Sequence, residues 1–157
     1  MIIIGIDPSL LNTGWGIISS EGSRLVYIAS GTIKTKNNQN IQYRLEDIHD
    51  RLSEIILQYK PNSAAMEESF VNKNPSSSLK LAHARGAIML TMAKLKLDLT
   101  EYAPTLVKKT VVGVGRAEKS QIEAMVRILL PRSTPDSEHA ADALAVCICH
   151  SRYAKEK

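Results

Sequence analysis

Four side chains stand out by position as candidates to hold a metal ion or move a proton. Asp7 closes the run Ile2-Ile3-Ile4-Gly5-Ile6 and leads straight into Pro8-Ser9. Glu67 closes a second short apolar run, Ala64-Ala65-Met66. His139 and Asp142 are three residues apart at the start of the last apolar stretch, so on a helix they share one face. If the two runs are adjacent parallel strands, Asp7 and Glu67 emerge at one carboxyl edge, where α/β sheets place their sites. Bringing that helix face over the edge would gather three carboxylates and an imidazole, and the carboxylates would raise one another's pKa unless cations lay between them. Hard oxygen ligands suit Mg²⁺ or Mn²⁺. Two such ions about 3.5–4 Å apart can activate water and stabilise the leaving oxygen in phosphodiester cleavage. Singly, each residue has a plainer reading: Asp7 as a turn former, Asp142 as a solvated helix residue, His139 as a first-turn residue. Glu68 also competes with Glu67, because neighbours on a strand point to opposite faces and spacing does not choose between them.

The elements that must position these groups are legible in the pattern. Residues 2–7 are continuous and β-branched, as in a strand buried on both faces. Gly14 to Ile18 reads as a second strand and Arg24 to Lys34 as a third, joined as a hairpin through Glu21-Gly22-Ser23. After the polar run at 36–40, Leu45, Ile48, Leu52, Ile55 and Ile56 recur at helical spacing, and Pro61-Asn62 ends that helix. Residues 64–66 form a fourth strand and 98–102 a fifth. Short helices are expected from Pro104 and near 118–130, and a last one over HAADALAVCICHSRYA. Strands first, then strands alternating with helices, imply an α/β fold on a sheet of mixed direction. The helix near 78–96, with serines to cap it, carries two apolar stripes. Leu79, Ala82, Gly86, Leu90 and Ala93 make one; Leu81, Ala84, Ile88, Met92 and Leu95 make the other. One stripe suffices for packing on a sheet, so this helix is either wholly internal or covered by a second subunit, and in so small a domain the second stripe points to a dimer contact.

The 157 residues, 44% hydrophobic, suit one domain spanning 1–157 with a sizeable core. No apolar run is long enough for a bilayer and Met1 enters a strand directly, so neither a membrane span nor a signal peptide is expected. Cys147 and Cys149 lie two apart in an apolar stretch, as buried reduced thiols of a cytoplasmic protein would. A formal charge of +4 is a weak pointer to an anionic partner.

GIDPSLLNTGWGI, AMEESF, SLKLAHARG, VKKTVVGVGRAEKSQ and HAADALA, in that order along nearly the whole chain, closely resemble the RuvC-type Holliday junction resolvases. The resemblance implies a ribonuclease-H-like fold with a mixed five-stranded sheet flanked by helices. It also implies a homodimer that nicks opposing strands of a four-way DNA junction symmetrically, and a partner in a RuvA–RuvB type branch-migration helicase complex. Asp7, Glu67, His139 and Asp142 would then be metal ligands, with two Mg²⁺ or Mn²⁺ ions per subunit, and the AxExxF pattern selects Glu67 over Glu68. Some relatives have aspartate where this chain has His139, so a softer, neutral ligand implies better activity with Mn²⁺. Phe70 becomes a stacking platform for an unpaired base. Lys73, Lys80 and Arg85 become candidate DNA contacts, and Lys108 and Lys119 the cations beside the scissile phosphate. Lys109 and Arg116 fall to backbone binding or solubility. One motif leads elsewhere: residues 113–120 nearly spell the phosphate-binding GxxxxGK[ST], but Glu118 replaces the second glycine and would set a carboxylate against the phosphates.

Overall fold

A computed structural model of the chain describes residues 1–69 and 73–154. Its elements run β1 (Ile2–Asp7), β2 (Asn12–Glu21), β3 (Arg24–Lys34), α1 (Ile41–Tyr59), β4 (Ser63–Glu67), α2 (Pro75–Lys94), β5 (Leu99–Tyr102), α3 (Pro104–Val112), α4 (Lys119–Leu129) and α5 (Glu138–Tyr153). The five strands form one sheet in the order β3-β2-β1-β4-β5. β2 is antiparallel to both β1 and β3, whereas β4 runs parallel to β1 and β5 parallel to β4. This is the mixed sheet expected from the sequence.

Alternation along β1 divides the core. Ile4 and Ile6 face Ile48, Leu52 and Ile56 of α1 and Ala84, Ile88 and Met92 of α2. Ile3 faces the other layer, built from α3, α4 and α5 through Val107, Val111, Ile122, Val126 and Leu144. Parity therefore sends Gly5 and Asp7 toward α5. The same rule on β4 puts Ala64 and Met66 on the α1–α2 side and Ala65 on the α5 side. Glu67 shares the side of Ala65.

α5 is the innermost helix. Every residue from Ala143 to His150 is buried, so it is apolar all round rather than amphipathic. It can sit flat on the sheet because the strands beneath it carry glycines. A Cβ at Gly5 would strike the Ala143 carbonyl, one at Gly14 the His139 carbonyl, and one at Gly16 would approach Leu144 to 2.6 Å. Cys147 donates its thiol to the Gly16 carbonyl at 3.3 Å, and both cysteines are free and buried.

α2 behaves differently from the sequence expectation in its start and as expected in its faces. Asn74, not a serine, caps it: its Oδ1 accepts from the backbone N–H of Ser76 and Ser77, and Pro75 occupies the first turn. Ala84, Ile88 and Met92 are buried, while the stripe of Leu79, Ala82, Gly86, Leu90 and Ala93 is exposed, with Leu79 at 61% and Leu90 at 60%. The glycine loop at 113–118 follows α3 rather than a strand, and Glu118 is engaged in a capping box with Gln121 that opens α4. Both facts exclude a phosphate-binding loop there. Among the described residues no helix is long and apolar enough to cross a membrane.

Candidate active site

The carboxyl edge of β1 and β4 meets the N-terminus of α5. The β1–β4 ladder pairs Ile6 with Met66, so Asp7 and Glu67 lie side by side one step further on. Ser137 caps α5 by accepting from the Ala140 N–H at 3.1 Å. Thr32 of β3 secures that cap from below, with its hydroxyl 2.6 Å from Ser137 Oγ and 2.9 Å from Asp136 Oδ1. The first turn of α5 is thereby held over the sheet edge, and His139 Nδ1 comes to 2.8 Å from Asp7 Oδ2.

The acids are poorly compensated. Burial raises the Asp7 carboxyl above the usual aspartate range, opposed by the His139 hydrogen bond and charge and by Lys119. Glu67 is pushed up to about 7, first by burial and then by the charges of Asp7 and Asp142, with Lys108 pulling the other way. Asp142 rises to about 6, again mainly by burial, with Asp7 adding to it and Lys119 and His139 opposing. Glu67 thus feels both other carboxylates and Asp142 feels Asp7, while Asp7 itself is governed by burial and by His139 and Lys119. Among the described residues, however, no three His, Cys, Asp or Glu side chains are drawn closely enough together to grip an ion as they stand. Mutual repulsion favours such spacing, and Asp7 is engaged with His139 instead.

The donor set fits a divalent cation. Three half-buried carboxylates that resist ionisation gain most from a compensating charge, and oxygen donors with one imidazole suit Mg²⁺ or Mn²⁺. With its proton on Nδ1 toward Asp7, His139 keeps the Nε2 lone pair for such an ion.

The basic candidates separate. Lys108 and Lys119 act on the acids electrically, from α3 and from the start of α4. Lys119 Nζ also lies 2.7 Å from Glu138 Oε2, both side chains being largely exposed. Lys73, Lys80, Lys109 and Arg116 are exposed. Arg85 is not a free surface cation: its side chain is 13% exposed and is engaged with Glu67, Ser69 and Glu101. Phe70 lies outside the described residues. The supports that sequence reasoning missed are Gly5, Gly14, Gly16, Thr32, Ser137 and Glu101. Of these only Ser137, a capping residue just before an apolar run, carried a local signal.

Comparison with known proteins gives consistent findings. Residues 3–150 match the family model described as crossover junction endodeoxyribonuclease RuvC. A relative of that name from Azorhizobium caulinodans is 54% identical over 151 residues, covering 96% of this chain and 89% of its own. Another from Mesorhizobium japonicum is 50% identical with the same coverage. Among solved structures, Thermus thermophilus RuvC in complex with a Holliday junction substrate superimposes with a TM-score of 0.91 at 28% identity, covering 98% of this chain and 94% of that one. The yeast mitochondrial Holliday junction resolvase Ydc2, at 11% identity and a TM-score of 0.65 over 96% of this chain and 78% of its own, shares the fold.

Proposed function

The chain belongs to the RuvC family of crossover junction endodeoxyribonucleases, and from that premise we propose how its own residues cut. It is a divalent-metal-dependent nuclease that resolves Holliday junctions in recombination and repair. In this reading Asp7, Glu67, His139 and Asp142 hold the ions, two Mg²⁺ or Mn²⁺ per subunit. Ions bound there supply a nucleophilic water and offset charge at the scissile phosphate. The protein's part is placement. Asp7 and Glu67 stand at the sheet edge, while His139 and Asp142 stand on α5, so ligands from two layers would hold the ions between them. Lys108 and Lys119 flank the acids and stabilise the added negative charge of the transition state. Phe70 stacks on an unpaired base, and Lys73 and Lys80 neutralise backbone phosphates.

The observation that carries this reading is the coupling of three carboxylates from separate elements, with Glu67 raised to about 7. A carboxylate that served only folding would be paired or solvated, whereas Glu67 is half-buried against two like charges. The exposed stripe of α2, with Leu79 and Leu90 about three helical turns apart, supports a homodimer. Two-fold symmetry then matches paired symmetric nicks on a four-way junction. A single nuclease domain, a cytoplasmic location and a RuvA–RuvB type helicase partner complete the proposal. His139 in place of a carboxylate favours Mn²⁺ over Mg²⁺. Incubating a synthetic four-way junction with Mn²⁺, Mg²⁺ or neither tests the whole. Paired nicks by the wild type, faster in Mn²⁺ and absent from Asp7→Asn, are expected; equal cutting by the variant would remove Asp7 from the site.

A further inference from the structure

Arg85 projects from the middle of α2 and its guanidinium reaches three acceptors. Nη1 donates to the Glu67 carbonyl oxygen at 2.7 Å and to Ser69 Oγ at 3.2 Å, and Nη2 meets Glu101 Oε1 at 3.0 Å. These acceptors belong to the last residue of β4, to the chain just beyond it, and to β5. The β1–β4 ladder ends at Ile6 opposite Met66, one residue short of Glu67, so Arg85 supplies a donor where that ladder has stopped. Only a planar, forked cation can serve several acceptors from fixed directions; a lysine ammonium is a single point on a flexible stem. Glu101 balances the charge and fixes the fork. Arg85 therefore grips the peptide of Glu67 while leaving its carboxyl group free.

We propose that Arg85, oriented by Glu101, is a positioning residue for the nick: it sets the end of β4, and with it the Glu67 carboxylate, in the alignment that the reaction needs. The inference rests on Glu67 being an ion ligand. It differs from a DNA contact in what it controls. A phosphate contact sets junction affinity and its salt dependence, whereas a positioning residue sets the rate once the junction is bound.

The test uses the full chain with Arg85→Ala, Arg85→Lys, Glu101→Gln and Glu67→Ala. Junction dissociation constants are measured over a range of salt without divalent metal, and single-turnover nicking is measured at saturating junction while Mn²⁺ is titrated. Both Arg85 variants should cut roughly 30–100-fold more slowly, the scale of loss from misplacing a reacting group by about an ångström. They should also need more Mn²⁺ for half-maximal rate, with junction affinity within about twofold of wild type and an unchanged salt slope. Glu101→Gln should show the same split, with a smaller loss. If Arg85→Ala does not fold by circular dichroism, Arg85→Lys and Glu101→Gln decide. Weaker binding with a salt slope reduced by about one and a wild-type rate at saturation would make Arg85 a phosphate contact and overturn the proposal. A wild-type rate and wild-type affinity would overturn it too. Glu67→Ala separates the two readings: an active Glu67→Ala sinks the ligand assignment itself, while an inactive one beside a fast Arg85→Lys sinks only the role of Arg85.

Discussion

The two ends of α5 bury titratable groups against the same sheet and treat them in opposite ways. At the C-terminal end, His150 is 3% exposed, with Nδ1 at 2.9 Å from Tyr102 OH and Nε2 at 3.0 Å from Ser63 Oγ. Both partners are hydroxyls, which can donate or accept, so either neutral tautomer is satisfied. Burial lowers the pKa of His150 and keeps it uncharged. At the N-terminal end, Asp7, Glu67 and Asp142 are less deeply buried; Asp7 meets His139, but Glu67 is faced by the charges of both other acids and Asp142 by that of Asp7. A polar group in a core is therefore no sign of chemistry by itself. What distinguishes the working end is a shortage of neutral partners, which costs stability and leaves room for cations.

The sharpest way to break this contrast is Asp7→Asn. Nicking should fall roughly 10³-fold or more, whereas His150→Gln, at the other end of the helix, should leave it within about twofold; similar losses from both would erase the distinction. The next largest effect is on folding. His150→Ala removes the hydrogen bond of the Tyr102 hydroxyl, leaves Ser63 Oγ only its weak contact with Met1 Sδ, and opens a void, so it should cost about 2–3 kcal/mol in denaturant unfolding. The pH dependence of that end follows from a lowered histidine. Below about 6.5 the unfolded chain binds a proton that the folded one refuses. Stability from His150 is thus complete above that pH and declines below it, so the gap between wild type and His150→Gln should narrow as the pH falls from 7 to 5.

A smaller effect sharpens the electrostatics of the working end. Lys119→Ala should slow nicking about tenfold and reduce the salt slope of junction binding by about one; a loss of affinity with no change in rate would make it a plain backbone contact. The smallest is a gain. With a folded pKa of about 7 against an ordinary 4.5, Glu67 penalises the metal-free fold at neutral pH, and that penalty fades as the pH falls from about 7 to 4.5. Without divalent ions, Glu67→Gln should stabilise the protein at pH 7.5 by about 1 kcal/mol, a figure discounted for partial exposure. Mn²⁺ should raise the melting temperature of the wild type and not that of the variant by as much.

Much of this was readable in one dimension. The five strands, the long helices and the order of the elements follow from apolar periodicity, because burial on one or both faces imposes it on the residues themselves. α5 was readable as a helix but not as the buried centre of the molecule, since its sequence does not say what lies beneath it. The opposed stripes of α2 marked an uncovered face, and one stripe is indeed exposed. Arg85 reads in the sequence as a candidate DNA contact beside Lys73 and Lys80, because a sequence shows its charge and not its acceptors. Glu67 and Glu68 were inseparable by spacing; their strand parity relative to Asp7 tells them apart.

From the sequence alone came the identity of the elements, the chemical types able to hold a cation, and the family. Whether those types meet was decided in three dimensions. Parity along β1 and β4 turns Asp7 and Glu67 to the same layer, and glycines at 5, 14 and 16 let α5 approach closely enough to bring His139 within 2.8 Å of Asp7. Close packing sets that distance, and packing depends on residues far apart in the chain, each of which alone says nothing about chemistry.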